Sequence, residues 1–333
     1  MGRNSHLRDR LVKILIVTPE VSRSTLGNAV SANRWAGILS QLGHHVTTAA
    51  EWKEWKTGAD DASDLLIALH ARRSHPSVER FRRFHPNRPL IVALTGTDLY
   101  NDLPSGNAEA QQSLELATRI VGLQDAAGEG LPETVRPKLS IIYQSAVAPA
   151  NPRPLREDCF ELCILSHLRD VKDPLMAPFA ARLLPSSSRI RIVHAGRALN
   201  SDWEARARQE ERVNPRYVWL GDRPHDETMQ LLSGSRLLVL SSLMEGGANV
   251  IAEAVVCGVP VLCSKVPGNI GMLGRDYLGY FKPRDTLELR ECLRRIEDQP
   301  GLWDRLHLQV LALQPRFSPE AEREAWRRLL QEL

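Results

Sequence analysis

Short runs that are apolar throughout, each followed by a stretch with helical spacing, recur along the chain and constrain its fold more than any other feature. In the first half they are "LVKILIVTPE", "HHVTTAAEW", "DLLIALH", "PLIVALTGTD", "RIVGLQ" and "LSIIYQS"; in the second they are "FELCILSHL", "IRIVHAG", "RYVWLGD", "RLLVLSSL" and "VPVLCSK". A strand that is apolar on both faces must be covered on both, as parallel sheets with crossover helices are. The rhythm stops at "APANPRPLRED" (148–158), where three prolines and several charges suit an exposed linker, and then restarts. The expected architecture is α/β: two Rossmann-like, doubly wound domains over 11–152 and 156–317, with residues 1–10 expected to be disordered. A length of 333 residues at 43% hydrophobic suits two cores. The segment "FSPEAEREAWRRLLQEL" opens with Ser318 as N-cap, Pro319 at the first helical position and Glu320 in the first turn, so 318–333 reads as a terminal helix.

Composition narrows the function. A net charge of +3 with 25% charged residues is a mixed surface that calls for neither nucleic acid nor stable membrane association. Cys159, Cys163, Cys257, Cys263 and Cys292 lie mostly in apolar runs without a CxxC pair, and read as buried reduced thiols. With no HExxH, CxxC or Asp-x-Asp motif, the site is expected to work without metal or other cofactor. The polar start and the lack of a long apolar stretch lead to the expectation of a cytoplasmic enzyme.

The chemistry concentrates in "MEGGANVIAEAVVCGVPVLC" (244–263). The helix starts near Gly247–Asn249, so Glu245 falls in the preceding loop and Glu253 about one turn in. Backbone N–H groups of Gly246, Gly247, Ala248, Asn249 and Val250 point out of the helix start, where the dipole favours an anion. Two carboxylates beside a diphosphate would repel it unless they face hydroxyls, which a sugar nucleotide has on both sides. The alternative is a helix-start Glu plus a solvated one. The loop "LSHLRDVKDP" places His167, Arg169 and Lys172 at a strand's carboxyl end, where Arg169 and Lys172 can reach a pyrophosphate and stabilise a departing nucleoside diphosphate. In the first half, Gly27 and Asn28 in "SRSTLGNA", His70 after "DLLIAL", and Thr97 in "TGTD" (95–98) also follow strands. His70 reads as a general base, an electrostatic partner or a structural hydrogen bonder.

With these residues placed, the chain resembles family-4 glycosyltransferases of the GT-B fold. The likeness is specific over roughly 160–281, where "WLGDRPHDETMQLLSGSRLLVLSSLMEGGANVIAEAVVCGVPVLCSKVPGN" matches that family's order and spacing. The resemblance implies that Glu245 contacts hydroxyls of the transferred hexose, that the backbone from Gly246 onward holds the diphosphate, and that Glu253 holds the ribose. Arg169 and Lys172 would hold the diphosphate from the other side; Gly196, in "HAGRAL", and Leu220, bordering the uracil, would complete the donor site. It also implies that the two domains close over the donor and that the last helix returns to the first domain. The family's usual GR-L-x3-K reads here as SHL-RDV-K, with His167 where the arginine normally stands and Arg169 as its replacement.

The first half, in "KILIVTPEVSRSTLGNAVSANRWAGILSQLGHHV", "LLIALHARRSH" and "PLIVALTGTDLYNDL", is similar to SenB-type selenosugar synthases of selenoneine biosynthesis. This implies a UDP-sugar, typically UDP-N-acetylglucosamine, joined to selenophosphate. A small anionic acceptor needs cations on the first domain. The loops of this half carry Arg23, Arg34, Lys53, Lys56, His70, Arg72, Arg73 and His75, of which Arg23, His70, Arg72 and Arg73 are the expected acceptor ligands. The rivals are a family-4 transferase with a hydroxyl acceptor, a UDP-sugar epimerase and a non-catalytic nucleotide-sugar sensor. The sequence does not specify the hexose, the anomeric outcome or the oligomeric state.

Overall fold

The computed structural model describes residues 11–19, 27–53 and 63–333, so the expectation for residues 1–10 lies outside it. The chain divides into two compact units, one running up to Gln144 and joined by Pro319–Leu333, the other spanning Ser145–Ser318. The first contains β1 (Lys13–Val17), α1 (Gly27–Gln41), β2 (His45–Ala49), β3 (Leu65–Leu69), α2 (His75–Phe84), β4 (Leu90–Ala93), α3 (Ala108–Leu116), β5 (Arg119–Gly122) and β6 (Leu139–Ile141). The second contains β7 (Phe160–Leu165), α4 (Met176–Arg182), β8 (Ile190–Ala195), α5 (Ser201–Val213), β9 (Tyr217–Gly221), α6 (His225–Ser233), β10 (Leu237–Leu240), α7 (Asn249–Val256), β11 (Val261–Ser264), α8 (Pro267–Leu273), β12 (Tyr280–Phe281), α9 (Thr286–Asp298) and α10 (Pro300–Leu313); α11 (Pro319–Gln331) returns to the first.

Each unit holds a six-stranded parallel sheet, ordered β2-β1-β3-β4-β5-β6 in the first and β12-β11-β10-β7-β8-β9 in the second. The strand order reverses between β1 and β3 and between β7 and β10. Loops leaving the carboxyl ends of such strands splay apart and leave room for a ligand. His70 follows β3, residues 166–173 follow β7, and the Glu245 loop follows β10.

In the first sheet, alternate residues of one strand feed two cores. Ile14, Ile16, Leu65, Ile67 and Ile91 pack with Trp35, Leu39, Trp326 and Leu329 on one face. Val17, Leu66, Ala68, Leu90 and Val92 pack with Val78, Phe81 and Leu114 on the other. Burial on both faces accounts for the absence of polar alternation in the sequence. On α11, Trp326 meets Trp35 edge-on with centroids 5.0 Å apart, and buried Glu322 accepts a 2.9 Å hydrogen bond from Trp35 Nε1 and lies 3.6 Å from Arg34 Nε. Trp326→Ala should destabilise the first unit by about 3–5 kcal/mol, read as a shift in its urea unfolding transition.

The division between units falls at 144/145, ahead of the proline-rich stretch at which the sequence placed it. Residues beyond it are tied to the second unit: Gln230 Nε2 donates to Asn151 O at 3.0 Å and Arg153 N to Ser233 Oγ at 3.3 Å. Arg153 also neutralises buried Glu161 and reaches Gly234 O at 3.1 Å. The second sheet gains β12, whose two residues are too short to show a sequence pattern. All five cysteines are free thiols, and burial pushes Cys163 up to about 12. Among the described residues, no helix is long and apolar enough to cross a membrane.

Candidate functional site

In the second unit the loop after β7 is fastened at both ends. His194, fully buried on β8, donates from Nε2 to Ser166 O at 3.0 Å and accepts at Nδ1 from Tyr217 OH at 2.9 Å. Gly196 lies so close that a Cβ there would sit 1.8 Å from Ser166 O, which is why a glycine ends this strand. Leu168 N donates to Arg197 O, Leu199 N to Leu168 O, and Trp203 Nε1 to Asp170 Oδ1 at 2.9 Å. Ser241 Oγ, after β10, donates to the carbonyls of Lys172 and Asp173, and Leu243 N donates to Val171 O. The two loops flanking the point of strand reversal are therefore stitched together.

This stitching brings Lys172 Nζ to 2.5 Å from Glu245 Oε1, with both side chains largely buried. Glu245 is held from below by Gly268, where a Cβ would come within 1.8 Å of the Glu245 carbonyl oxygen. Beyond Gly246 and Gly247, Ala248 is the N-cap of α7 and offers no side-chain hydrogen bond, so the helix start has no side chain competing with an anion. Glu253 sits at the fifth position of α7, with His225 Nε2 at 3.0 Å from its Oε1.

His167 accepts at Nδ1 from Arg197 N at 3.2 Å. Its basicity is lowered by burial first and then by the nearby charge of Arg197, with Arg169 and Lys172 adding to the effect. Burial and these neighbours make it a weaker cation than the arginine of the GR-L-x3-K pattern, with Asp222 opposing the shift; the fixed positive charge beside it belongs to Arg197, Arg169 and Lys172. Arg169 is exposed at the start of the turn Asp170–Lys172. Arg197 was missed by sequence reasoning, although its place after "HAG" at a strand's carboxyl end was a usable signal. Leu220 lines a cavity of about 540 Å³ with Arg153, Glu161, Arg191 and Val218, a cavity whose lining includes none of Lys172, Glu245 or Glu253.

His194 supplies a pH-dependent term. Burial pushes its pKa down from 6.5 to about 4. Between these values the unfolded chain binds a proton that the folded chain does not, so stability rises with pH across this window, is complete above it and is lost as pH falls through it. The size is about 3 kcal/mol. His194→Gln, which keeps a donor and an acceptor but cannot charge, should flatten the dependence in urea unfolding measured on either side of the window.

In the first unit, His70 occupies a left-handed backbone conformation (φ 73°) although it is not glycine, and is buried. Strain of this kind persists only where the surroundings enforce it. His70 Nδ1 lies 2.7 Å from Asp98 Oδ1. Asp98, fully buried, also accepts from Thr95 N and Thr95 Oγ1 at Oδ2, both at 2.9 Å, and from Arg72 N at 3.3 Å. Burial raises the Asp98 pKa, but the hydrogen bonds and charge of His70, with Thr95, more than offset it and hold the carboxyl below its ordinary range. The 2.7 Å contact assigns the Nδ1 proton to the bond with Asp98, leaving His70 Nε2 as a buried atom with no hydrogen-bond partner among the described residues; Thr18 Oγ1 and Gln144 Oε1, beyond the ends of β1 and β6, are likewise buried without one among them. Asp98 lies within "TGTD" but was assigned no role by sequence reasoning.

The other acceptor candidates fare unevenly. Arg72 Nε lies 3.0 Å from Asp102 Oδ2, an ion pair without hydrogen-bond alignment, so its charge is largely neutralised. Arg34 is taken by Glu322, Lys53 lies 2.9 Å from Glu51, and His75 is buried against Ser113 Oγ at 3.0 Å. Arg73 is exposed, Thr97 precedes the π-helical turn Asp98–Asp102, and Gly27 and Asn28 open α1 with free space where a Gly27 Cβ would be. Arg23 and Lys56 lie outside the described residues. His70, Asp98 and Asp102 bring ligand-type atoms within 4.8 Å of one another; His70 and Asp98 engage each other, while Asp102 pairs with Arg72.

Residues 151–307 match the family model described as "Glycosyl transferases group 1". A putative teichuronic acid biosynthesis glycosyltransferase, TuaC of Bacillus subtilis (strain 168), is 30% identical over 100 residues, 29% of this chain and 26% of that protein. Protein CapJ of Staphylococcus aureus is 39% identical over 59 residues, 18% of this chain and 15% of its own length. These matches therefore span about a quarter or less of the relatives. Among solved structures, Anabaena Alr3699/HepE in complex with UDP and glucose has a TM-score of 0.72 at 18% identity, covering 97% of this chain and 100% of that one. Sucrose-phosphate synthase from Thermosynechococcus elongatus has a TM-score of 0.76 at 17% identity, covering 97% and 99%. At such identities the likeness establishes the fold, which is GT-B.

Proposed function

We propose that this chain, whose second unit carries a group 1 glycosyl transferase domain, is a selenosugar synthase. It transfers a hexosamine from a UDP-sugar, UDP-N-acetylglucosamine, to selenophosphate. The selenium lone pair forms the bond to the anomeric carbon, the carbon–oxygen bond to the diphosphate breaks, and UDP leaves with the two electrons of that broken bond. The observation that carries the donor half is the convergence of Lys172, Glu245 and the uncapped start of α7 at the reversal of the second sheet. A diphosphate at the helix start would be met by Lys172 and Arg169, with Glu245 turning from Lys172 to the hexose hydroxyls and Glu253 to the ribose. A likeness in fold to a protein solved with UDP and glucose supports the donor class.

The acceptor half is supported by the first-half segments that resemble selenosugar synthases. Selenophosphate is a strong nucleophile and needs positioning more than a base. Incubation with UDP-N-acetylglucosamine and selenophosphate should yield a selenium-containing sugar by mass spectrometry; its absence, with UDP still bound by the protein, overturns the acceptor assignment.

A second reading, transfer to a hydroxyl, is favoured by one observation: His70, oriented by Asp98 and with Nε2 unpartnered, has the arrangement of a general base, and the neutralised Arg72 weakens the anion-binding field. UDP release with sugar or lipid alcohols, indifferent to selenophosphate, would select it.

A further inference from the structure

We propose that His225 is a positioning residue of the donor site, fixing the carboxylate of Glu253 so that it can grip the hydroxyls of a nucleoside ribose; this rests on the reading of Glu253 as the ribose ligand. His225 belongs to "WLGDRPHDE", a stretch to which the donor reading otherwise assigns only Leu220. It is the first residue of α6, launched by Pro224 in an extended conformation (φ −55°, ψ 151°). The proline ring restricts that approach and directs the imidazole toward α7. There Nε2 lies 3.0 Å from Glu253 Oε1.

The backbone of Glu253 is already rigid, since Ile251, Ala252, Ala254 and Val255 around it are buried. Its carboxylate is not: three side-chain torsions separate it from that backbone, and ordering them on ligand binding would weaken affinity. A hydrogen bond from His225 to one oxygen removes most of this freedom beforehand and leaves the other oxygen to accept from ribose. The neighbouring cation, Arg223, pairs instead with Glu227 at 3.7 Å, so it does not duplicate the role. The histidine side chain is 73% exposed and that of Glu253 17%, so removing the imidazole opens no cavity in the core, and a change in binding would not be a folding effect.

The consequence is selectivity for the ribose. Calorimetric titration of the full-length protein with UDP and with 2′,3′-dideoxy-UDP separates ribose recognition from diphosphate and base recognition. Wild type should prefer UDP by about tenfold or more, the scale of hydrogen bonds to a charged group. His225→Ala should lose most of that preference by weakening UDP while leaving the dideoxy compound unchanged, and His225→Gln, which keeps an N–H donor, should restore part of it. In turnover, His225→Ala should raise KM for the donor and spare kcat. If Glu253→Gln keeps the full preference for UDP, the ribose reading itself is wrong. If Glu253→Gln loses it and His225→Ala keeps it, the role given to His225 is wrong.

Discussion

Replacing Lys172 by methionine should lower kcat for the proposed UDP-sugar reaction about a thousandfold, the scale of removing a preorganised group aimed at developing charge. Charge builds on the diphosphate as its bond to the anomeric carbon breaks, and Lys172 is held beside the start of α7 by the bonds from Ser241 and Leu243 to its loop. The substitution has a second effect. Glu245, 2.5 Å from Lys172 and 8% exposed, loses its partner, and a carboxylate left unpaired in such a place is strongly destabilising. Thermal unfolding of Lys172→Met and of the double variant Lys172→Met/Glu245→Gln separates the two: the double variant should recover stability and remain inactive. A double variant that recovers activity would show that Lys172 serves the fold alone.

Asp98→Ala should destabilise the first unit by several kcal/mol, at about 1–3 kcal/mol for each buried donor left unmatched. The loss strips the partner from His70 Nδ1, Thr95 N, Thr95 Oγ1 and Arg72 N at once. Buried donors left unmatched are the costly outcome, more than the loss of the bonds themselves. The left-handed backbone of His70 then keeps its bonds to Ala93 and Ser74 but loses its side-chain anchor. Because the Asp98 carboxyl is held below its ordinary range, the folded state binds this proton less readily than the unfolded one. Its contribution is present above the ordinary carboxylate range and is lost as pH falls through it. Urea unfolding against pH should show that loss in wild type and a smaller one in Asp98→Asn. Equal slopes would contradict the account.

Strands such as β3 and β4 were legible because burial on both faces leaves no polar alternation to obscure them; β2 is polar and partly exposed, and β12 is only two residues long. The positions of the loops after β7 and β10 were legible for a related reason. Residues that follow a parallel strand emerge at its carboxyl end, so "SHLRDVK" and "MEGGAN" declared which edge of the sheet they occupied. That Lys172 and Glu245 touch was not legible, because it depends on β7 and β10 being neighbours across 73 residues of chain. The partners of the first-half cations were not legible for the same reason. Arg34 is matched by Glu322, near the far end of the chain, and Arg72 by Asp102, and neither pairing leaves a local signature. The pairing of Asp98 with His70 has no local signature either, because it depends on β4 lying beside β3 in the sheet.

The most direct test of the central claim is UDP release from UDP-N-acetylglucosamine by the full-length protein, followed with selenophosphate, with hydroxyl acceptors and with neither. Release should depend on selenophosphate and be accompanied by a selenium–carbon bonded sugar. Release that ignores selenophosphate and follows a hydroxyl acceptor would contradict that claim.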